Sequence, residues 1–345
     1  MRVIFRVEGN LTIGLGHMMR CMALAQGLDK SGHDVAFIMS EASQQFCKSR
    51  ADWVGDIHNL ELSSNQPEPE YVKKQCLTQQ ADWLVLDGYQ FTQHYRQSLN
   101  NSHFKLAIFD DINNSGALFT DLIINGAPNA DSLNYGATAP HAELAIGEQY
   151  QVLRQEFLCA LNCKWQQRTQ LSIMFGGSDP QGLTLETLQA LQSLEVPMPI
   201  TVITGAVFSQ LTDLNALIDS STLNITHLHD CQNLAPIFSH SRLIISAAGG
   251  TQFELLACNT PAILVVVADN QLIASQSAAS QGWCEINNYE SSSPMDWAKQ
   301  CLELWQSSET LLKWHQKAQQ FPVIDGANNI AKLMSQLSEN PKANL

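Results

Sequence analysis

The sequence predicts an α/β protein of two domains, each built on a parallel β-sheet with helices on both faces. Three observations predict this fold class. Short runs rich in Val, Ile and Leu alternate with longer stretches of helical character along most of the chain. The apolar runs are continuous, as in strands that are buried on both faces. The alternation starts afresh near residue 171 of 345, and this length suits two domains of ordinary size.

The predicted strands of the first half are residues 2–7, 34–39, 83–87, 106–109 and 122–124, with helices such as 17–30 and 93–99 between them. Those of the second half are residues 171–175, 200–204, 223–228, 243–246 and 263–267. Residues 158–170 are polar, and a new apolar run follows them. We therefore place the boundary near residues 150–170 and define the domains as residues 1–155 and 156–345.

Composition narrows the class of protein. The formal net charge of −14 argues against a nucleic-acid binder, because such proteins usually present a basic face. An anionic small ligand is still possible, since loop amides can bind it. The nine cysteines are an odd number without a Cys-x-x-Cys pair, so we expect free thiols in a reducing compartment. Neither a signal peptide nor a membrane-spanning run is present, which predicts a cytoplasmic protein without stable membrane insertion.

The loop between the first predicted strand and helix reads Ile13-Gly14-Leu15-Gly16-His17. Its glycines allow a tight turn that brings backbone N–H groups close to a ligand, and His17 can exchange a proton near neutral pH. Met19 stands where a dinucleotide-binding fingerprint needs a third glycine, and no Gly-Lys-Ser/Thr follows. The loop is therefore either an anion-binding loop with a candidate acid/base residue or an ordinary turn with a surface histidine.

Two further glycine-containing loops follow predicted strands in the second half. One contains Gly176-Gly177-Ser178, and the other is Ala247-Ala248-Gly249-Gly250, with Glu254 shortly after it. Small residues let a phosphate or diphosphate approach the backbone N–H groups at the start of the next helix. Each loop alone could be a simple turn, but their order along the chain favours a nucleotide site.

The residue spacing does not predict a metal site. Asp110 and Asp111 directly follow a strand, which favours a loop or supporting role over metal binding. His227 and His229 alternate on a strand but have no third ligand at useful spacing.

These motifs together resemble a known family, the UDP-sugar hydrolases of pseudaminic acid biosynthesis with their spore-coat polysaccharide relatives. This family has the MurG-type glycosyltransferase-B architecture. The resemblance extends from Arg2 to about Gly282. The motifs that carry it are Ile13–His17 with Arg20, Asp87-Gly88-Tyr89, Phe109-Asp110-Asp111, Ile124-Asn125, residues 150–157, Gly176-Gly177-Ser178-Asp179, residues 246–249, Glu254 and Asn270-Gln271.

The resemblance implies two Rossmann-like domains, residues 1–155 for sugar binding and catalysis and residues 156–345 for nucleotide binding. It implies that water displaces UDP from UDP-2,4-diacetamido-2,4,6-trideoxy-β-L-altropyranose with inversion, without metal or cofactor. UDP is a good leaving group, so one base that activates water can suffice; His17 is the candidate, with Tyr89 positioning substrate or water. The expected substrate-binding residues are Gly14, Gly16, Arg20, Asn125, Gly177, Ser178, Ala248, Gly249, Glu254 (ribose), Asn270 and Gln271 (sugar).

Two alternatives share this architecture. In a MurG-like glycosyltransferase, His17 would activate an acceptor hydroxyl instead of water. A non-catalytic nucleotide-sugar binder would keep the loops at Ser178 and Glu254 but would not need His17. Because Asp87-Gly88-Tyr89 is closer to the spore-coat branch, a hydrolase of another nucleotide sugar in surface polysaccharide synthesis also stays open.

Overall fold

A computed structural model describes residues 1–9, 15–63, 66–100, 102–159 and 163–339. The chain divides into two compact units, Met1–Gln155 with Ile324–Leu345, and Glu156–Val323. Each unit contains one parallel sheet with helices in its connections. The predicted fold class, two Rossmann-like domains with parallel sheets, is confirmed.

The first unit contains a seven-stranded sheet. Its strands are β1 (Arg2–Val7), β2 (Asp34–Met39), β3 (Asp56–Asn59), β4 (Trp83–Asp87), β5 (Lys105–Phe109), β6 (Leu122–Asn125) and β7 (Glu143–Ile146). Its helices include α1 (Gly16–Lys30), α2 (Glu41–Lys48), α3 (Glu68–Thr78), α4 (Gln93–Ser98) and α5 (Tyr135–Thr138), with 3₁₀-helices at Ala130–Leu133 and Glu148–Tyr150. The strand order is β3-β2-β1-β4-β5-β6-β7.

The second unit contains a six-stranded sheet. Its strands are β8 (Gln170–Met174), β9 (Ile200–Thr204), β10 (Ile225–His229), β11 (Ser241–Ala247), β12 (Ala262–Val266) and β13 (Cys284–Asn288). Helix α6 (Gln155–Leu158) and a 3₁₀-helix at Trp165–Gln167 precede the sheet, and α7 (Leu183–Ser193), α8 (Leu211–Ser220), α9 (Ala235–His240), α10 (Thr251–Ala257), α11 (Asp269–Ser280), α12 (Pro294–Gln306) and α13 (Ser308–Ala318) follow. The strand order is β10-β9-β8-β11-β12-β13.

The central strands carry buried apolar residues on both faces because both faces of the sheet are covered. On β1, Val3, Phe5 and Val7 enter one buried cluster, whereas Ile4 enters another on the opposite face. Successive side chains of a strand point to opposite faces, so a strand between two layers of helices carries apolar residues on both of its faces.

The last helix, α14 (Gly326–Glu339), belongs to the first unit. Its buried Ile330 and Met334 join the apolar cluster of β1 and α1, and the indole Nε1 of Trp83 donates a hydrogen bond to Ser338 at 2.8 Å. The sequence assigned every residue after 155 to the second domain. An amphipathic helix pattern shows which face is buried, but it does not show which domain covers that face.

All ten predicted strands are present, with ends that differ by at most two residues. Three further strands, β3, β7 and β13, escaped prediction. Within the described residues, no helix is long and apolar enough to cross a membrane.

The contact between α1 and α14 depends on the absence of a side chain at Gly27. A Cβ atom at Gly27 would lie 2.5 Å from the Cβ of Ala327. We expect Gly27→Val to lower the free energy of unfolding by about 1–3 kcal/mol, since overpacking forces the backbone apart. Urea denaturation followed by circular dichroism measures this change.

The matched control is Gly136→Val, because a Cβ at that helical glycine meets nothing within 4 Å. It should stay within about 0.5 kcal/mol of the parent protein. The additional change Ala327→Gly should restore part of the stability lost in Gly27→Val. Equal stability of the two valine variants would show that the helices do not pack as described.

Candidate functional site

The candidate site of the first unit lies at the carboxyl edge of its sheet, where the strand order reverses. β1 and β4 are neighbours, and the later strands extend from them in opposite directions. Ligands of open α/β sheets bind beyond the strand ends at such a point. His17 and Arg20 lie at the start of α1, which follows β1, and Asp87 is the last residue of β4.

His17 and Asp87 form a directed pair. The imidazole Nδ1 lies 2.7 Å from Oδ1 of Asp87, whose side chain is fully buried, and the His17 side chain is 13% exposed. A carboxylate only accepts hydrogen bonds, so the proton of a neutral His17 lies on Nδ1. Among the residues that the structure describes, Nε2 has no hydrogen-bond partner. Nε2 can therefore take a proton from a bound molecule.

Arg20 binds the same carboxylate. Its Nε donates to Oδ2 of Asp87 at 2.6 Å, and its Nη2 donates to Oδ1 at 2.7 Å. Its Nη1 donates to Oδ1 of Asp111 at 2.6 Å, and its guanidinium carbon lies 4.8 Å from the ring centroid of Phe109. The structure thus places Arg20 between two carboxylates, whereas the sequence expectation gave it a substrate contact, which stays a prediction.

Asp111 and Tyr89 complete the group. The Tyr89 hydroxyl donates to Oδ2 of Asp111 at 3.1 Å, and its ring meets that of His17 edge-on at 5.0 Å between centroids. Burial raises the pKa of Asp111, but the charge of Arg20 and the hydrogen bonds from Arg20 and Tyr89 outweigh burial and leave this pKa below its ordinary value.

Asn125 lies inside the domain. It is 4% exposed, its Nδ2 donates to the Tyr135 hydroxyl at 3.0 Å, and its Oδ1 accepts from the amide of Ala127 at 3.0 Å. Tyr135 in turn donates to Oδ1 of Asp110 at 2.9 Å. These bonds hold the loops after β5 and β6 together, and the substrate contact predicted for Asn125 stays untested.

The segment after β1 is anchored by a buried ion pair. Glu8 accepts from Arg6 Nη1 at 2.6 Å and from the Ser40 amide at 3.0 Å. Gly16 begins α1 in an exposed position with open space around it. The predicted ligand-binding residue Gly14 lies outside the described residues.

The candidate site of the second unit also lies where the strand order reverses. β8 and β11 are neighbours and extend to later strands on opposite sides. The two glycine loops that the sequence singled out follow these two strands. The strand order thus brings these two loops to the same edge of the sheet.

The loop after β8 is held to the start of α7 by Asp179. Its buried carboxylate accepts from the amides of Leu183 at 3.0 Å and Thr184 at 2.7 Å, which caps α7. Gly176 has φ +81°, a conformation that glycine adopts without strain. Ser178 is half-buried, and its hydroxyl has no hydrogen-bond partner within the described ranges. The loop can thus present Ser178 and the Gly177 backbone to a ligand.

The loop after β11 combines a left-handed glycine with side-chain caps. Gly249 has φ +70°, and its carbonyl accepts from Gln252 Nε2 at 2.9 Å. The Ala248 amide donates to the Val265 carbonyl at 2.8 Å, so this N–H is engaged in the sheet. Gln271 Oε1 accepts from the Val267 amide at 3.0 Å, which places its side chain beside the same loop.

The remaining predicted contacts of the second unit lie on helices. Glu254 is half-buried in the first turn of α10, and Asn270 is exposed in the first turn of α11. Gln271 and Gly249 are close, since a Cβ at Gly249 would lie 3.3 Å from Gln271 Nε2. Glycine at 249 therefore leaves room for Gln271.

His227 and His229 share one partner, because both lie within hydrogen-bond distance of the Thr204 hydroxyl, at 2.8 and 3.1 Å. In the part of the chain that is described, no group of three or more His, Cys, Asp or Glu side chains could hold a metal. Cysteines such as Cys21, Cys47 and Cys301 are buried free thiols.

The sequence did not identify the role of Asp87. It named this residue only within a motif, although an aspartate that ends a buried strand beside the strand leading to His17 is a signal for such a pair. Asp111 had been considered only as a metal ligand or a supporting residue.

Comparison with known proteins shows the family of the chain. Residues 147–332 match the family described as glycosyltransferase family 28 C-terminal domain. MurG of Acinetobacter baumannii has a similar fold, with a TM-score of 0.67, 16% identity, and 97% of this chain and 99% of that chain covered. The fold is thus of the glycosyltransferase-B type, as expected from the sequence.

Three relatives are similar in sequence over most of this chain. An uncharacterized protein of Methanocaldococcus jannaschii is 25% identical over 79% of this chain, and the match spans only 56% of that protein. The spore coat polysaccharide biosynthesis protein SpsG of Bacillus subtilis is 20% identical over 82% of each chain. The UDP-2,4-diacetamido-2,4,6-trideoxy-β-L-altropyranose hydrolase of Campylobacter jejuni is 24% identical over 82% of this chain and 98% of its own.

The family match covers more than half of the chain, and the protein belongs to the glycosyltransferase family 28 C-terminal domain family. Its relatives include both a sugar-nucleotide hydrolase and a spore-coat protein. The resemblance drawn from the sequence is thus confirmed at the level of the family.

Stability should depend on pH through Asp111. Its pKa is lowered in the folded state, so its ion pair adds stability that is complete above the ordinary value of about 4 and is lost as the pH falls below it. At pH 7, Asp111→Asn should lower the free energy of unfolding by about 1–3 kcal/mol. The gap from the parent protein should shrink as the pH falls below about 4.

The control is Asp34→Asn, which removes the exposed partner of Arg2 and should cost less than about 1 kcal/mol. Denaturant titrations at several pH values measure both gaps. A gap for Asp111→Asn that stays constant with pH would contradict the assigned ion pair.

Proposed function

We propose that the protein hydrolyses a UDP-sugar to UDP and the free sugar, with UDP-2,4-diacetamido-2,4,6-trideoxy-β-L-altropyranose as its substrate. This activity would supply a free sugar to nonulosonic acid synthesis. The observation that carries the proposal is His17, whose Nδ1 is held by the buried Asp87 while Nε2 keeps its lone pair. The hydrolase relative of Campylobacter jejuni, similar over 98% of its length, supports the choice of substrate.

The proposed reaction is a direct displacement by water. Nε2 of His17 takes a proton as the water oxygen forms a bond to the anomeric carbon. The bond from that carbon to the diphosphate oxygen breaks, and its electron pair leaves with UDP, so the anomeric centre inverts. The proton on Nε2 then passes to solvent. Asp87 stabilises the imidazolium that forms and keeps its own charge.

The leaving group determines how few catalytic groups are needed. An ordinary glycosidase uses a second carboxylic acid to protonate a poor leaving group. UDP departs as a stable anion, so a single base suffices. We assign stabilisation of the diphosphate to the Ser178 hydroxyl and to the backbone N–H groups of the loops at Gly177 and Gly249. We assign the ribose to Glu254 and the sugar to Asn270 and Gln271.

A MurG-like glycosyltransferase is the second candidate, favoured by the family match and by the fold shared with MurG. In that reaction, Nε2 of His17 would take the proton of an acceptor hydroxyl. A hydrolase of another nucleotide sugar is favoured in turn by the similarity to SpsG.

Release of UDP from the proposed substrate, with excess EDTA and without acceptor, separates these candidates. We expect continuous turnover with inversion, which a transferase waiting for its acceptor or a simple binder would not show. Turnover only with another UDP-sugar would replace the substrate, and loss of turnover in EDTA would contradict the metal-independent mechanism.

His17 should be essential for turnover but not for nucleotide binding. His17→Asn removes the base, so we expect kcat to fall by about 10²–10⁴-fold. Affinity for UDP, measured by calorimetry, should change little. His141→Asn is the matched control, because this histidine is exposed in the same unit and makes no described contact. Ordinary activity of His17→Asn would exclude it as the base.

Gly249 should be required for nucleotide affinity. Gly249→Ala places a Cβ at φ +70° beside Gln271, so we expect UDP to bind about tenfold more weakly, a loss of about 1.4 kcal/mol. Gly282→Ala is matched, because its φ is +79° and the nearest atom is 4.0 Å away. Equal loss of UDP affinity in both variants would show that backbone strain, rather than the loop at Gly249, is responsible.

A further inference from the structure

Five side chains of the first unit form a closed ring of contacts. His17 contacts Asp87, and Asp87 accepts from Arg20. Arg20 donates to Asp111, Asp111 accepts from Tyr89, and the Tyr89 ring returns to His17. These residues come from α1, the end of β4 and the loops after β4 and β5. The ring therefore links three separate parts of the sheet edge.

We propose that Asp111 is a positioning residue for His17, acting through Arg20 on one side of the imidazole and through Tyr89 on the other, and that Arg20 serves this ring instead of contacting substrate. The kinetic part of this proposal rests on the proposed hydrolysis.

The donors of Arg20 support this assignment. Its Nε and Nη2 bind the two oxygens of Asp87, and its Nη1 binds Asp111. Its Nη2 also lies 3.2 Å from the second oxygen of Asp111. Two carboxylates thus more than neutralise the guanidinium. A diphosphate would have to displace one of them before it could use this charge, and bidentate pairs of this kind hold their geometry.

The charges explain why a second carboxylate is needed. Arg20 Nη2 lies 3.4 Å from Nδ1 of His17, so the guanidinium is a direct neighbour of the imidazole. With Asp87 and Asp111 both charged, the group carries one net negative charge when His17 is neutral. That charge is balanced when Nε2 takes its proton. Without Asp111, Arg20 and Asp87 would cancel each other, and the imidazolium would lose this stabilisation.

Tyr89 provides the second link from Asp111 to His17. Tyr89 is 63% exposed, so packing alone does not hold its side chain. Its hydroxyl donates to Oδ2 of Asp111, and its ring then lies edge-on against His17 at 5.0 Å. An edge-on contact restricts rotation of the imidazole about its own axis. Asp111 thereby fixes the ring plane, while Asp87 fixes the proton.

Steady-state kinetics on the full chain test this proposal first. Asp111→Asn should lower kcat about 10–100-fold and leave KM within about twofold, as for a residue that acts only in the transition state. Asp110→Asn is the matched control, because it removes the same charge one residue away, where the carboxylate contacts Tyr135 and the Asn113 amide. A raised KM with unchanged kcat in Asp111→Asn would make Asp111 a substrate contact and overturn the proposal.

Nuclear magnetic resonance of ¹⁵N-labelled histidine gives a readout that does not depend on turnover. The His17 signals are those missing from His17→Asn, and at alkaline pH they report which ring nitrogen carries the proton. We expect the Nδ1–H form in the parent protein and in Asp110→Asn, and a mixture with the Nε2–H form in Asp111→Asn. If the parent protein fails to hydrolyse the substrate but shows this pattern, the proposed function fails and the positioning role stands.

Tyr89→Phe keeps the proposal testable if Asp111→Asn does not fold. This variant removes only an exposed hydroxyl, and we expect kcat to fall about 3–10-fold with KM unchanged. Where Asp111→Asn does fold, the variant with both changes should lose a smaller factor in kcat than the product of the two single losses. The reason is that the two residues act in one network. An unchanged kcat in Tyr89→Phe, or losses that multiply fully, would show that the ring is not a unit.

Discussion

The buried carboxylate of Asp87 is the constraint on which the polar edge of the first domain depends. A charge without exposed surface must be paired, because an unpaired one costs about 3–5 kcal/mol. Both of its strong partners come from α1, where His17 and Arg20 are three residues apart and thus share one helix face. The pairing of β1 with β4, the start of α1 and the direction of the imidazole are therefore determined together.

In the second domain, the candidate site is formed by backbone conformation instead of by ion pairs. Asp179 accepts hydrogen bonds from the first amides of α7, and Nε2 of Gln252 donates one to the Gly249 carbonyl. Gly249 supplies a conformation that other residues adopt with strain. Such loops suit a ligand that brings its own negative charge into a protein whose net charge is −14. The proposed function assigns proton transfer to the first domain and anion binding to the second.

The sequence predicted the fold class, ten strands and the places of the two glycine loops of the second domain, because parallel strands leave continuous apolar runs. It missed β3, β7 and β13, which carry exposed polar residues such as Asp56, Glu143 and Glu285. It named His17 and Tyr89, but not the ring through Asp87 and Asp111. Strand order and side-chain rotamers determine which carboxylate contacts Arg20, and the spacing of residues along the sequence predicts neither. The substrate contacts expected for Arg20, Asn125 and Ala248 stay predictions, and each of these residues also has a hydrogen-bond partner within the protein.

The return of α14 to the first domain has a consequence for synthesis of the chain. Residues 1–155 leave the ribosome first, yet the groove of α1 around Gly27 receives Ala327 and its neighbours only after the whole second domain has been made. During that interval the nascent first domain exposes apolar surface that chaperones or other chains can bind. The second domain, whose residues are contiguous, has no such delay. The first domain is thus completed last, although its synthesis begins first.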